Sequence, residues 1–368
     1  MWHRYLGYAD AAYATLVNNW YNYDDGSWDG MRFWQAANAM HAIADFAALR
    51  PVGGVEDMFA TMFQRNKDTN FAYDSNDFDA EQDVFDDEGW WALAWLAAYD
   101  LLTSPGVVDA WGLANAYLQM AKTIFNNMSS QWTWRCNGGL CWETPDHAGG
   151  EALRYKNAIV NELFLTLAIR LYQRTRDALY LDWARSELNW FQKSGMQNSA
   201  GLINDGLVPG SCVNNGKPTY TYNQGVILGG LADLYLATGD YGSYIERGAW
   251  RIFQAVTTSP LVSDGVLTEP VGPDDESPQF RGPFMRYLSY LCSIDPDPDR
   301  THRPAYLTFI ARNANSLWLN SRNDTFFGTF FGYSWAGPFQ PGPFDRPNPL
   351  FQSAAFDALI AAIRLDSL

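Results

Sequence analysis

Two adjacent aspartates, Asp86 and Asp87, stand at the start of an apolar segment rich in tryptophan and alanine. Two carboxyl groups that face one cavity do not both ionise easily, so one stays protonated and the other stays charged. Hydrolysis of a glycosidic bond needs such a pair, one group as proton donor and the other as nucleophile or base. The two aspartates are therefore our candidate catalytic residues.

Two other aspartate pairs, Asp24–Asp25 and Asp274–Asp275, provide an internal comparison because they lie beside glycine with serine or proline. Such acids are typical of turns. Only Asp86 and Asp87 lead into a predicted buried helix, flanked by Trp90. The exposed amides at a helix N-terminus stabilise a carboxylate, which favours this pair as a functional site.

The acidic stretch 74–88 contains no lysine or arginine, and most such stretches are solvated loops. A calcium loop is the alternative, because acids fall at positions 1, 3, 5, 7 and 12 of a twelve-residue pattern. Gln82 occupies the position that requires glycine, which weakens this alternative. The acids concerned are Asp77, Asp79, Glu81, Asp83 and Glu88.

Other chemistries lack their motifs in this sequence. The chain has 4 histidines and neither an H-E-x-x-H motif nor clustered Cys and His, which argues against a zinc site. It has no G-x-S-x-G elbow and no glycine-rich phosphate loop after a strand. We therefore expect no metal and no cofactor.

The composition restricts the partners. The net charge of −16 argues against nucleic acid and anionic membranes, which attract basic surfaces. No stretch has the roughly 18 uninterrupted apolar residues of a membrane span. Aromatic residues make up 16% of the chain, and their faces suit both cores and sugar rings. A neutral polymer is compatible with all three observations.

The cysteines and two sequons favour a secreted protein. Cys136 and Cys141 bracket the turn-rich sequence NGGL, and we predict a disulfide between them. The pairing of Cys212 with Cys292 is left open. Sequons for N-glycosylation begin at Asn127 and Asn323.

Helical periodicity dominates the chain and predicts one domain over residues 1–368, built from six helical hairpins with an inner and an outer ring. Apolar segments such as 222–238 alternate with amphipathic ones such as 177–194. The predicted helices are 2–21, 30–49, 54–66, 87–103, 107–128, 150–174, 177–194, 222–238, 241–258, 280–292, 303–320 and 349–365.

Seven segments together resemble glycoside hydrolase family 76, the α-1,6-mannanases. They are DDEGWWALAW (86–95), CNGGLCW (136–142), YKNAIVNELF (155–164), TYNQGVILGGLADLY (221–235), LTEP (267–270), QFRGPFMRYLSYL (279–291) and QSAAFDAL (352–359). The resemblance implies an all-α (α/α)6 toroid and retaining, endo-acting hydrolysis of α-1,6-linked mannan. It also implies that Asp86 is the nucleophile and Asp87 the general acid/base.

Within these segments and near them, further residues are candidate sugar contacts, and packing or capping is the alternative role for each. Arg281 is a candidate for organising the acids or closing the groove, and Trp142 is a further candidate stacking platform. The predicted substrate-binding residues are Trp34, Asn38, Trp90, Trp91, Lys156, Asn157, Asp205, Tyr222, Asn223, Gln224, Phe280 and Arg281.

Two alternative functions stand beside hydrolysis. A fungal branch of the family transfers glycolipid-anchored mannoproteins to wall glucan, but its expected motif is DDQGFW where this chain has DDEGWW. That branch also carries a C-terminal anchoring signal, and the helical pattern at residues 358–368 leads us to expect none here, unless such a tail has been removed. A non-catalytic mannan-binding protein is disfavoured because both acids are present. We expect a monomer that is secreted or associated with the cell wall.

Overall fold

The computed structural model describes residues 2–67, 84–144, 150, 154–272, 277–342 and 345–364. Its contacts divide the chain into two compact units. The Asp86 unit comprises residues 23–27 and 32–219, and the Tyr222 unit comprises residues 1–22, 28–31 and 220–368. The single domain predicted for residues 1–368 stays a prediction.

The described part of the chain contains twelve α-helices and three two-stranded antiparallel sheets. The helices are α1 (Trp2–Trp20), α2 (Phe33–Leu49), α3 (Val55–Asn66), α4 (Phe85–Leu102), α5 (Ala114–Ser130), α6 (Ala158–Thr175), α7 (Ala178–Ser194), α8 (Thr221–Thr238), α9 (Trp250–Thr257), α10 (Arg281–Ile294), α11 (His302–Asn320) and α12 (Pro349–Arg364). The strands are β1 (Lys156–Asn157), β2 (Gly206–Leu207), β3 (Val262–Ser263), β4 (Val266–Leu267), β5 (Arg322–Thr325) and β6 (Gly328–Phe331). None of these helices is long and apolar enough to cross a membrane.

The Asp86 unit has a row of mostly buried helices, α2, α4 and α6, with α4 packed against both of the others. Helices α5 and α7 bury one face each, against α4 and α6 respectively. A Cβ atom at Gly89 would lie 2.9 Å from Leu163 Cβ. Glycine in the DDEGWW segment therefore allows α4 and α6 to approach closely.

Much of the aromatic content of this unit lies in its core. The Trp91 ring stacks on the Trp95 ring with centroids 5.3 Å apart, and Trp95 stacks on Tyr117 at 4.9 Å. Trp91 is 1% exposed and Trp95 is fully buried. Burial of such rings contributes strongly to stability.

The Tyr222 unit repeats the pattern with α8, α10 and α12 buried, α10 packing on the other two. Arg286 and Asp357 form a buried, two-pronged ion pair, with N–O distances of 2.9 and 2.8 Å. Loss of one partner of such a pair would leave an uncompensated charge in the core. Polar residues of two family segments therefore join α10 to α12.

Two helices begin later than predicted because side chains cap them. Helix α5 was expected from residue 107, but the Asp109 carboxylate accepts hydrogen bonds from the amides of Leu113 and Ala114, each at 2.9 Å. Helix α6 was expected from residue 150, but Asn157 forms its N-cap. The preceding residues pair as β1 with β2. The segment predicted as one helix over 241–258 begins with a π-helical stretch, Gly242–Ala249, before α9.

Candidate active site

Asp86 and Asp87 lie in the first turn of α4, and both are partly exposed. The helix begins at Phe85 with Val84 as N-cap, slightly earlier than predicted. The pair therefore sits inside the first turn and does not form the cap. Amides at this end of a helix, together with the helix dipole, stabilise negative charge.

Trp142 anchors the start of α4 and contacts one of the two acids. Its carbonyl accepts a hydrogen bond from the Phe85 amide at 2.9 Å. Its indole Nε1 donates to Asp86 Oδ1, also at 2.9 Å. A hydrogen bond donated to a carboxylate favours its charged form. This geometry gives Trp142 a positioning role for Asp86.

A second acid, Asp205, is connected to this site through Tyr155. The Trp142 amide donates to the Tyr155 carbonyl at 2.7 Å, and the two rings make an edge contact with centroids 6.3 Å apart. The Tyr155 hydroxyl donates to Asp205 Oδ2 at 2.5 Å. Burial raises the pKa of Asp205 above its ordinary value, although this hydrogen bond opposes the shift. The structure thus brings Asp86, Trp142, Tyr155 and Asp205 into one continuous set.

Glu88 turns away from the pair. Its side chain is 1% exposed, and both carboxylate oxygens accept from Asn127 Nδ2, at 2.6 and 2.8 Å. Successive residues of a helix point in different directions, which explains why the third acid meets α5. Glu88 therefore joins α4 to α5.

Comparison with known proteins decides the family. A model described as glycosyl hydrolase family 76 matches residues 4–364. The chain belongs to glycosyl hydrolase family 76.

Relatives in the family carry mannan-related names. The chain is 26% identical over 319 residues to the mannan endo-1,6-alpha-mannosidase DCW1 of Candida albicans, covering 82% of this chain and 66% of that protein. The chain thus spans slightly less than two thirds of the length of this relative.

Solved structures of the family share the fold. The GH76A alpha-1,6-mannanase of Salegentibacter sp. HEL1_6 superposes with a TM-score of 0.79 at 21% identity, covering 97% of this chain and 98% of that one. An inactive variant of that enzyme, with two adjacent aspartates replaced by asparagine, was solved with alpha-1,6-mannotriose. It matches with a TM-score of 0.79 at 20% identity, covering 98% of this chain and 99% of that one. The predicted all-α (α/α)6 toroid is confirmed as the fold class.

In this family 76 chain, Lys156 holds the loop that leads to Trp142. The Lys156 side chain is 2% exposed. Its ammonium group donates to the carbonyls of Gly138, Gly139, Arg135 and Thr133, at 2.5, 2.7, 2.9 and 3.3 Å. The ammonium group of Lys156 thus binds backbone carbonyls of the protein itself, which gives Lys156 a structural role.

The two asparagines of the YKNAIVNE segment also form hydrogen bonds within the protein. Asn157 Oδ1 caps α6 by accepting from the Val160 amide at 3.2 Å. Asn161 Oδ1 accepts from the Leu140 amide at 2.7 Å, and its Nδ2 donates to the Asn157 carbonyl at 2.8 Å. The segment therefore fixes the loop that carries Trp142.

The predicted disulfide between Cys136 and Cys141 is wrong. Cys136 pairs with Cys212, 76 residues further along the chain. Cys141 is a fully buried free thiol whose Sγ lies 3.8 Å from Thr133 Oγ1, and Cys292 is also free and buried. Proximity in sequence was a poor guide because the fold brings the distant Cys212 within bonding distance of Cys136.

Four predicted contacts on α2 and α4 are buried. The rings of Trp34 and Trp90 are stacked with centroids 6.2 Å apart, and they are 8% and 4% exposed. Trp91 and Asn38 are each 1% exposed, and Trp91 also packs on Phe33. As sugar contacts, these residues stay a prediction.

In the Tyr222 unit, aromatic rings cluster where α8 and α10 begin. The ring centroids of Tyr222 and Phe280 are 4.0 Å apart. Gln224 is fully buried and donates to the Tyr220 carbonyl at 3.0 Å. Asn223 is fully buried as well, and its side-chain oxygen and nitrogen have no hydrogen-bond partner in the described part of the chain. A buried amide needs hydrogen-bond partners, and the predicted role of Asn223 in binding substrate stays a prediction.

Arg281 lies in an aromatic cage of the same unit. Its guanidinium carbon is 4.8 Å from the Tyr333 ring centroid and 4.7 Å from that of Trp335. It donates to the Tyr333 carbonyl at 2.6 Å. Burial lowers the pKa of Arg281, and the nearby Glu269 carboxylate opposes that shift. These contacts account for its charge by packing and cation–π attraction.

Asp25, from the first comparison pair, lies in a turn. Asp25 accepts from the Ser27 amide and hydroxyl, and these bonds lower its pKa, as expected for a turn acid. Asp274–Asp275 and the acidic residues 74–83 lie outside the described residues. Among the described residues, no group of three His, Cys, Asp or Glu side chains could hold a metal ion.

Proposed function

We propose that this chain is a retaining glycoside hydrolase that cleaves α-1,6-mannosidic bonds within mannan. One observation carries the proposal: two partly exposed acids occupy the first turn of α4, and one of them is held by the Trp142 indole. The N-terminal end of a helix stabilises a negatively charged carboxylate, as a nucleophile requires. An adjacent carboxyl group can then remain protonated and serve as the proton donor.

In the first step, Asp87 donates its proton to the leaving glycosidic oxygen, and Asp86 attacks the anomeric carbon. The bond between that carbon and the oxygen breaks, and a mannosyl ester forms on Asp86. The Trp142 hydrogen bond and the first-turn amides keep Asp86 charged before the attack. The charge on Asp86 in turn favours the protonated form of Asp87.

In the second step, the ionised Asp87 removes a proton from water, and the water oxygen attacks the anomeric carbon of the ester. Asp86 leaves as a carboxylate and Asp87 is protonated again. Two inversions give overall retention of the α configuration. Retention requires carboxyl groups about 5–5.5 Å apart.

The relatives support the choice of substrate and residues. The Candida albicans protein is named a mannan endo-1,6-alpha-mannosidase. The bacterial variant that lacks two adjacent aspartates is inactive and holds alpha-1,6-mannotriose. The same chemistry in this chain would place those roles on Asp86 and Asp87.

We also propose that the protein acts outside the cell as a monomer. The Cys136–Cys212 disulfide supports secretion, since such bonds persist in oxidising compartments. A polymer such as mannan would be met there. Asp86, Asp87, Trp142 and Asp205 all belong to one unit of a single chain, so this part of the site needs no second copy.

Separate Asp86→Asn and Asp87→Asn variants test the function on linear α-1,6-mannan. Each is expected to lose hydrolysis by about a thousandfold or more, because removal of a nucleophile or an acid/base removes a step. Nuclear magnetic resonance of the first products should show the α anomer. Full activity in either variant, or an initial β anomer, would refute the assignment.

Transfer is the second outcome open to a mannosyl ester, because a sugar hydroxyl can replace water in the second step. Adding an acceptor glycan to the wild type distinguishes the two. If elongated products form faster than free sugar, the chain is a transglycosidase. If free reducing ends dominate at every acceptor concentration, hydrolysis is the activity.

A further inference from the structure

A groove of about 480 Å³ lies between α7 and the loop that precedes Leu140. The volume falls within the range of about 300–1,000 Å³ typical of small-ligand pockets. Neither Asp86 nor Asp87 lines it. The groove is lined by Trp132, Trp134, Cys136, Asn137, Ser186, Asn189, Trp190 and Lys193.

The floor of the groove is a fixed aromatic surface. Trp190 is 4% exposed, and its indole Nε1 donates to the Cys136 carbonyl at 2.9 Å. Trp132 meets the Trp190 ring edge-on with centroids 6.2 Å apart, and Lys156 Nζ lies 5.5 Å from the same ring. A Cβ atom at Gly139 would come within 2.3 Å of that ring, so glycine lets the loop lie flat on it. The floor is therefore preorganised.

One wall is a single tryptophan that faces solvent. Trp134 is 85% exposed, although it stands at the edge of this aromatic groove. Isolated exposed apolar residues are ordinary on protein surfaces. This one differs because it adjoins a concave surface with a second and a third tryptophan beneath it.

Another part of the lining carries hydrogen-bonding side chains of α7. Ser186, Asn189 and Lys193 share one face of α7, because residues three, four and seven positions apart lie on the same side of a helix. Their side chains, like that of Asn137, make no hydrogen bond to another residue in the described part of the chain. These groups are therefore available to a ligand.

We propose that this groove is a second carbohydrate-binding site that takes a pyranose ring of the mannan chain. The C–H bonds on one face of a pyranose point toward the negative face of an aromatic ring, and Trp134 offers such a face. Hydroxyl groups would bond to Asn189, Ser186 and Asn137. The lining includes tryptophan rings, amide and hydroxyl groups and one lysine, whose ammonium group can donate to a sugar oxygen. The choice of mannan as the glycan rests on the proposed function.

Fluorine NMR of protein containing 5-fluorotryptophan tests the site directly. The chain has 16 tryptophans, and the resonances of two are assigned by their loss in Trp134→Phe and Trp142→Phe variants. The titration uses α-1,6-mannotetraose and a protein carrying Asp86→Asn and Asp87→Asn, which prevents cleavage. We expect both resonances to move with saturation. Asn189→Ala should weaken the Trp134 titration about tenfold, as for a central contact, and leave that of Trp142 unchanged.

Phe326→Ala is the matched control, since that side chain is 96% exposed and lines no part of this groove. It should leave both titrations unchanged. A Trp142 response without a Trp134 response would overturn the second site and leave the proposed function standing. A Trp134 response without a Trp142 response would support the second site and count against the proposed catalytic role. If neither the Trp134 nor the Trp142 resonance moves, both the second site and the proposed function are overturned.

Discussion

Two residues of one helical turn show how neighbouring acids acquire different surroundings. Asp86 is partly exposed and accepts from the Trp142 indole, whereas Glu88 is buried and accepts from Asn127. The helix directs one side chain toward the loop and the other toward α5. Environment therefore separates the acid that we propose to be reactive, Asp86, from the structural acid Glu88.

Trp142→Phe tests the positioning role of the indole. The change removes the hydrogen bond to Asp86 and keeps an aromatic ring. A hydrogen bond to a charged group contributes about 1.5–3 kcal/mol, so kcat on linear α-1,6-mannan should fall by about 10- to 100-fold. KM should change little, because the bond orients the acid and does not contact the sugar.

Trp111→Phe is the matched control for that substitution. The Trp111 indole donates to Asp57 Oδ1 at 2.8 Å, at an exposed position. This variant loses the same kind of bond and should keep the wild-type kcat. Equal kcat in both variants would contradict a positioning role for Trp142.

At the residue scale, the sequence supplied candidate acids but not all of their hydrogen-bond partners. Asp86, Asp87 and Asp205 were chosen as polar residues in distinctive segments. Tyr155 was missed, although it opens the YKNAIVNE segment. Lys156 was assigned to substrate, because sequence shows a buried cation needs partners but not that four loop carbonyls supply them.

At the scale of elements, a single loop joins the proposed catalytic pair to the groove. It carries Trp134 at one end and Trp142 at the other, and Lys156 and Asn161 hold its middle. The Cys136–Cys212 disulfide ties the same loop to the segment after α7. The disulfide and these hydrogen bonds therefore fix the conformation of the loop between α5 and α6.

The disulfide should stabilise the folded chain by about 2–4 kcal/mol, as is typical for a long closed loop. Replacing Cys136 and Cys212 together by serine should therefore lower Tm by about 3–5 °C for a chain of this size. Reductant should lower the Tm of the wild type by a similar amount and leave that of the double variant unchanged. Differential scanning calorimetry measures both.

Cys141→Ala distinguishes the two pairings. It leaves Cys136–Cys212 intact, so its Tm should still respond to reductant. Loss of that response would restore the pairing of Cys136 with Cys141 that the sequence suggested. Peptide mapping without reduction gives the same answer independently.

At the scale of the whole molecule, the net charge of −16 fits a neutral polymer better than an anionic partner. Such a polymer gains little from charge and much from aromatic and amide contacts. Both the Asp86 site and the Trp134 groove offer such contacts. The composition and the described surface therefore agree.

Chelation by EDTA is expected to leave both hydrolysis of mannan and Tm unchanged, since the proposed chemistry runs on two carboxyl groups. Rates and melting curves before and after dialysis provide the measurement, with added calcium as the control. A loss that calcium alone restores would contradict the expectation. It would assign a calcium loop to residues 77–88.

By itself, the sequence determined the all-α class, nine of the twelve helix positions closely, and the acids at the start of α4. These follow from periodicity and local capping, which act over a few residues. The tertiary structure alone decided the disulfide pairing, the hydrogen bond from Trp142 to Asp86, and the groove beside Trp134. Each of these features joins residues that are far apart in the chain. Local sequence patterns do not show which distant side chains come into contact after folding.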